Sequence, residues 1–451
     1  IFMKIIIAGA GEVGFHLAKL LSFESQDITL IDNKKSNLNI AEHQLDIKTI
    51  EGNSASISVL KEANVDKSDL VVSLTSSETT NFSTCFLAKQ LGAKRTIARI
   101  SNSEFINSDH DIDFNSIGID ELISPENLAT EEIKLLIHES AFTNIHAFEE
   151  GILKMMGVKL EKKAPFVGKT VMEAASVFPG VHFMPIALKK EGTEKTIIPR
   201  GDTVFCDGDQ VYFITDKKGL QELYNLLGTV KQNIDNIMIL GAGRIGSKLA
   251  RDLSNEGLNV KIIEINEEKA NNLAEELSDV MMINVDGRNV DLLVEENLEN
   301  MDAFIATTGN SETNIMSCLM AKSKKIKKTI ALVDNMDYFN LSQSIGIDTL
   351  INKKLLAAND IFRFVRNGDI VELAKLNNMD AEIVEFNVSN KSKVLNKKIV
   401  DLNFPREAII GGVIRGDKGI IALGDFVIQY GDRVLVCSTP EVLSKVESLF
   451  L

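Results

Sequence analysis

Ile6-Ile7-Ala8-Gly9-Ala10-Gly11-Glu12-Val13-Gly14 is an apolar run that breaks into three glycines spaced Gly-x-Gly-x-x-Gly. A short buried strand is predicted to end at Ala8, the chain turns at Gly9, and a helix opens at Glu12. That context gives the glycine spacing its meaning. The first glycine permits a tight turn, the second lets a pyrophosphate approach the backbone, and the third lets the helix pack against the strand. Free N–H groups at the helix start then face the negative charge. Asp32 closes the next apolar run 23 residues after Gly9, where a carboxylate can accept hydrogen bonds from ribose hydroxyls. The same pattern returns 232 residues later as Met238-Ile239-Leu240-Gly241-Ala242-Gly243-Arg244-Ile245-Gly246, again with a carboxylate, Glu264, 23 residues on. Carboxylates at Asp32 and Glu264 disfavour a 2′-phosphate, so both copies favour NAD over NADP.

The repeat extends outward in both directions. Thr80-Asn81, Cys85 and Ala88-Lys89 return as Thr313-Asn314, Cys318 and Ala321-Lys322. Thr96-Ile97-Ala98 returns as Thr329-Ile330-Ala331, and Ile117-Gly118-Ile119-Asp120 as Ile345-Gly346-Ile347-Asp348. Apolar runs at 5–8, 28–31, 70–75, 96–100 and 121–123 alternate with stretches of helical spacing such as Val13, Leu17, Leu20 and Leu21. Short buried strands alternating with helices predict a parallel sheet with right-handed crossovers. Then Pro165, Pro179, Pro185 and Pro199, four of the chain's seven prolines, fall close together. Gly201-Asp202-Thr203-Val204 and Gly208-Asp209-Gln210-Val211-Tyr212 reappear as Gly424-Asp425-Phe426-Val427 and Gly431-Asp432-Arg433-Val434-Leu435. Gly-Asp before an alternating stretch reads as a turn and a half-buried strand. The predicted class is α/β: two Rossmann-like doubly wound parallel sheets, each followed by a small β-rich α+β domain. The expected domains are 1–140, 145–229, 233–367 and 370–451, with polar linkers at 140–150, 228–235 and 367–372.

A net charge of −15 argues against nucleic acid, because a duplex repels an acidic surface. Lys322, Lys324, Lys325, Lys327 and Lys328 form a local exception that reads as a solvated helix end. No apolar run reaches the roughly 20 residues a membrane helix needs, and no signal peptide is evident, so a membrane role would run through a partner. Cys85, Cys206, Cys318 and Cys437 stand far apart and read as buried small residues in a reducing compartment. His16, His43, His110, His138, His146 and His182 show no ligand spacing, so neither a metal site nor a catalytic residue is assigned.

The crevice at the strand ends draws further candidates. Asn53 follows the third strand, near the expected adenine. Thr75 and Ser76 end the fourth strand and are followed by Glu78 and Asn81. Arg99 offers a cation to phosphate, and Asp286 and Thr308 belong to the crevice of the second copy. A dehydrogenase would need a proton donor or acceptor beside the nicotinamide and a pocket for a carbon substrate. Outside the glycine turns there is no His-Asp or Tyr-Lys pair, so an NAD-dependent oxidoreductase with duplicated Rossmann domains is the alternative reading.

The glycine turn closed by Asp32, with Leu74-Thr75-Ser76-Ser77-Glu78-Thr79-Thr80-Asn81, Ile97-Ala98-Arg99-Ile100 and Gly118-Ile119-Asp120-x-x-Ile123-Ser124-Pro125 in order, resembles the TrkA family. These are cytosolic nucleotide-binding regulatory subunits of Trk-type potassium uptake systems, built from tandem regulator-of-potassium-conductance domains. The resemblance covers both halves, and by it Met3-Lys4-Ile5 looks like the native start. It implies binding of NAD or NADH, with ATP or ADP as further ligands, and gating of a separate Trk-type potassium-translocating membrane subunit. It also implies a homo-oligomer, expected as a tetrameric ring, cytoplasmic and peripheral on the inner face of the membrane through that partner. Such proteins commonly carry glutamine or arginine after the second glycine; Glu12 departs from this and Arg244 keeps it. Leu332 stands where the first half has Arg99. The stretches Pro125–His138 and Lys353–Val365 carry apolar residues at helical spacing. With the resemblance, they are expected to cross between the Rossmann units.

Overall fold

In the computed structural model of the chain, the described residues are 3–23, 26–102, 105, 112–176, 182–193, 195–228, 233–335, 338, 346–365, 370–376 and 379–450. The first sheet contains β1 (Lys4–Ala8), β2 (Asp27–Asp32), β3 (Lys48–Glu51), β4 (Leu70–Ser73), β5 (Arg95–Arg99) and β6 (Glu121–Ile123). Its order is β3-β2-β1-β4-β5-β6, and every pairing is parallel. Then come β7 (Asn144–Phe148), β8 (Leu153–Lys159), β9 (Phe183–Lys189), β10 (Thr196–Ile197) and β11 (Gln210–Thr215), an antiparallel sheet ordered β10-β9-β11-β8-β7.

The second half repeats the plan. A parallel sheet ordered β14-β13-β12-β15-β16-β17 is built from β12 (Asn236–Leu240), β13 (Asn259–Ile263), β14 (Met281–Ile283), β15 (Ala303–Ala306), β16 (Lys328–Leu332) and β17 (Thr349–Ile351). An antiparallel sheet ordered β18-β19-β22-β20-β21 follows, from β18 (Ile370–Lys375), β19 (Glu382–Asn387), β20 (Ala408–Arg415), β21 (Lys418–Ile420) and β22 (Arg433–Ser438). The parallel strands read as unbroken apolar runs because helices cover both faces; Ile5, Ile6 and Ile7 are all buried.

The halves are interlocked. The helix Lys353–Val365 belongs by sequence to the second half. Its Ala357, Ala358, Ile361 and Phe362 nevertheless join one core with Val13, Leu17 and Leu21 of the first half's helix Glu12–Phe23. Conversely Ala129, Ile133, Leu136 and Ile137 of Pro125–His138 share a core with Ile245, Leu249 and Leu253 of the second half's helix Arg244–Asn255. The two helices thus cross between the Rossmann units, as expected. Ser124 caps the first of them by accepting from the Asn127 N–H, and Pro125 fits the first turn because no N–H is needed there. The antiparallel sheets also stack: Leu153, Ile186 and Ile214 lie in one apolar cluster with Ile383, Ile414 and Leu435. Gly411 and Gly412 allow the close approach, since a Cβ on either would sit 2.8 Å from Ile214 or Leu153.

Four expectations need correction. The segment 140–150 is not merely a linker, for β7 runs through it, with Ile145 and Phe148 buried against β8. Lys328 is no solvated helix end: it starts β16, is 2% exposed, and its ammonium donates to the Ser140 and Phe142 carbonyls. Cys206 is exposed, unlike Cys85, Cys318 and Cys437. Of the other expected linkers, residues 229–232 and 367–369 lie outside the described residues, as do Pro179, His110 and Ile345, while 370–372 are not linker but open β18. Among the described residues no helix is long and apolar enough to cross a membrane.

Candidate functional site

The first glycine turn is held from three sides. Gly9 has φ +104°, open to glycine and strained for other residues, and its N–H donates to the Ile31 carbonyl at 2.7 Å. A Cβ on Gly14 would lie 1.9 Å from the Gly9 carbonyl oxygen, so a side chain there would break the turn. Gly11 differs from both: nothing lies within 4 Å of where its Cβ would be, and its φ is not positive. No packing or backbone strain inside the protein calls for glycine at Gly11.

Asp32, at the end of β2, aims its carboxylate across the turn. Oδ2 accepts from the Ala10 N–H at 2.7 Å, while Oδ1 accepts from the Lys34 N–H at 2.8 Å and from Asn37 Nδ2 at 3.4 Å. Val13 is buried behind the turn and Glu12 is exposed at its mouth. Asn53, beyond β3, is exposed and its Oδ1 accepts the Ala55 N–H at 3.0 Å. Thr75 and the exposed Ser76 follow β4 beside the turn: the Thr75 N–H lies 3.0 Å from a Cβ placed on Gly9.

The second copy has the same geometry with more charge. Gly241 has φ +99°, and a Cβ on Gly246 would lie 1.9 Å from the Gly241 carbonyl oxygen. At Gly243 the nearest atom to a Cβ would be the Thr307 carbonyl oxygen, 3.9 Å away. Glu264 accepts from the Ala242 N–H at 3.1 Å and the Asn266 N–H at 3.0 Å, and Lys269 pairs with it at 3.2 Å. Burial works to raise the Glu264 carboxyl, yet these donors and the Lys269 charge hold it below the ordinary glutamate range. Asp286, beyond β14, is gripped by the Arg288 guanidinium and N–H, which bring it down to about 2. Ile245 is buried and Arg244 is exposed at the turn's mouth. Thr308 stands over Gly241 with its N–H on Asn314 Oδ1 at 3.0 Å.

Two of the expected crevice residues, Asn81 and Glu78, carry internal hydrogen bonds. The Asn81 carboxamide is buried and fully engaged. Its oxygen accepts from Ser73 Oγ and from the Thr75 N–H and hydroxyl, and its nitrogen donates to the Thr75 and Arg99 carbonyls. It therefore ties the end of β4 to the end of β5 behind the crevice, as Asn314 ties Thr308 to Leu332. Glu78 accepts the Ser101 and Asn102 N–H groups after β5. Arg99 lies 3.7 Å from Glu126 on the crossing helix, with its Nε buried and unpartnered.

Lys354 lies outside the glycine-turn motifs. It sits on the second half's crossing helix and forms an ion pair with Glu12 at the first turn. The register of the repeat carried the signal, since Pro125-Glu126 of the first half becomes Lys353-Lys354. A cavity of about 1790 Å³, lined by Glu132, His146, Lys190, Lys328 and Asp360, opens between the crossing helices and β7–β8, apart from both turns. No cluster of metal-ligating side chains occurs among the described residues.

Comparison with known proteins matches the TrkA-N domain at residues 5–125 and 237–353, and the TrkA-C domain at 155–228 and 383–451. The chain is 33% identical to the Trk system potassium uptake protein TrkA of Halomonas elongata, over 96% of this chain and 95% of that protein. It is likewise 33% identical to that of Haemophilus influenzae, over 99% and 98%. Among solved structures, the GsuK RCK domain superposes with a TM-score of 0.61 at 16% identity, covering 100% of this chain and 95% of that one. The GsuK channel bound to NAD gives 0.63 at 16% identity, covering 100% and 79%. At that identity the likeness concerns the fold.

Proposed function

The chain belongs to the TrkA family, and on that premise we propose that it is a nucleotide-binding regulatory subunit that gates potassium uptake through a separate Trk-type membrane subunit. The observation that carries the nucleotide part is the open space at Gly11 and Gly243, two glycines that internal packing does not require. NAD or NADH is the proposed ligand, with ATP or ADP as competitors. In the first site the N–H groups of Gly11 and Glu12 meet the pyrophosphate, and Asp32 takes the ribose diol by releasing the Ala10 N–H. Thr75, Ser76 and Asn53 line the rim. In the second site Gly241–Gly246, Glu264, Asp286 and Thr308 hold the equivalent positions, with Arg244 free to meet phosphate.

The relatives are named for potassium uptake and not for any chemical conversion, which supports a regulatory role over an oxidoreductase. The proposed assembly is a ring of several copies, expected to be a tetramer, beneath the membrane partner. A nucleotide can bias such a ring only through its differential affinity for two conformations. A coupling of about 1–3 kcal/mol, or roughly 5–150-fold in the gate's equilibrium, is the expected scale. The test is reconstitution with the cognate membrane subunit and measurement of potassium flux with NADH, NAD, ATP and ADP in turn. Asp32→Ala should weaken NADH binding by about tenfold to a hundredfold through loss of a charge-assisted hydrogen bond. Flux indifferent to both the protein and every nucleotide would refute the reading.

A further inference from the structure

Glu12 poses an electrostatic problem for the site just described. It is the first residue of the helix after Gly11, its side chain is 70% exposed, and it places a negative charge where a pyrophosphate is to bind. Lys354 answers that charge from the other half of the molecule. Its ammonium pairs with the Glu12 carboxylate and donates to the Asp334 carbonyl at 3.3 Å. Only 21% of the Lys354 side chain is exposed, and burial pushes its ammonium below the ordinary lysine range. A largely buried cation held by one exposed carboxylate gains from a more highly charged partner.

The repeat supplies an internal control. At the second turn Arg244 replaces Glu12, and Glu126 replaces Lys354 on the matching helix, so both signs are inverted. There the pair does not form. Glu126 lies 3.7 Å from Arg99 and 4.0 Å from Lys353, and no ion pair joins it to Arg244 among the described residues. The cross-half ammonium is therefore delivered to the first turn alone.

We propose that Lys354 completes the first nucleotide site by transferring its ammonium from Glu12 to the pyrophosphate of the bound nucleotide. This rests on the reading of Gly9–Gly14 as a nucleotide turn and adds that the site is composite, built from both halves. Occupancy then joins the crossing helix to the first turn through the ligand, in place of the direct contact with Glu12.

The experiment titrates the full chain with NADH and with adenosine, which lacks phosphate, in a Gly243→Val background that closes the second turn. Lys354→Met should weaken NADH about tenfold to a hundredfold and leave adenosine unchanged, and the loss should persist when Glu12→Gln is also present. Lys354→Arg should restore most of the affinity. An NADH affinity unchanged by Lys354→Met but weakened by Asp32→Ala would overturn the proposal and leave the site standing. A loss seen only with Glu12 present would overturn the direct contact. If Asp32→Ala is also without effect, the nucleotide turn itself fails, and the proposal with it.

Discussion

Replacing Gly11 and Gly243 together by alanine adds one methyl group at the mouth of each glycine turn. At Gly11 that methyl meets no atom within 4 Å, and at Gly243 its nearest neighbour is a carbonyl oxygen at 3.9 Å, an ordinary contact. The folded chain should therefore tolerate the change. Loss of backbone freedom in the unfolded state stabilises by about 0.4–1 kcal/mol per site, and loss of glycine at a helix cap costs a similar amount. The net change in stability should lie within about 1 kcal/mol. Binding should respond quite differently. A methyl standing between backbone and pyrophosphate displaces the ligand from two charge-assisted hydrogen bonds, each worth roughly 1.5–3 kcal/mol. NADH affinity should fall by on the order of a hundredfold to ten-thousandfold. Gly14→Ala is the contrasting case, because its methyl would lie 1.9 Å from the Gly9 carbonyl and the turn must move. It should cost more than about 2 kcal/mol of stability. Calorimetric titration with NADH, paired with urea unfolding, reads both quantities. Full NADH affinity in the double alanine variant, or its unfolding, would sink the argument that these glycines serve a ligand.

The buried lysine of β16 predicts a pH effect. Burial lowers the Lys328 pKa from 10.5 to about 8, so between these values the unfolded chain binds the extra proton and stability rises with pH. The gain should be on the order of 3 kcal/mol, and urea unfolding at pH 7.5 and pH 10 should show it in the wild type and not in Lys328→Met. Across the small sheets, Gly411→Val pushes a branched side chain into Ile214 and Ile186, each under 3 Å from its Cβ. It should destabilise by about 1–3 kcal/mol, seen as a lower urea midpoint with nucleotide affinity preserved.

The strand–turn–helix at Gly9 was legible because its glycines, apolar run and closing carboxylate are local features whose spacing the backbone fixes. The parallel sheets followed for the same reason. The partners of the crossing helices were harder. Ala357, Ile361 and Phe362 announce an apolar face, but helical spacing does not say which sheet covers it; there the resemblance supplied the expectation that the core bears out. Strand β7 reads as linker in sequence because Asn144, His146 and their neighbours look polar, although pairing with β8 decides the matter. Asn81 and Glu78 are expected in the crevice because polar residues at strand ends usually face it. Only the three-dimensional arrangement shows their hydrogen bonds turned inward. Lys354 carries no local motif, because its partner Glu12 lies far away in the sequence.

When two identical chains meet about a twofold axis, the contact is isologous: every residue must suit itself as well as its partner, twice over. A substitution at one contact is then imposed on its mirror image. Carrying both copies in one chain lifts that obligation. Glu12 has only to suit Lys354, and Arg244 and Glu126 are free to take other neighbours. The two crevices can drift apart in charge, and so in the ligands they prefer, without either change damaging the other. A single mutation at Glu12 is thus a change to one crevice alone, something a symmetric pair of chains could never be offered.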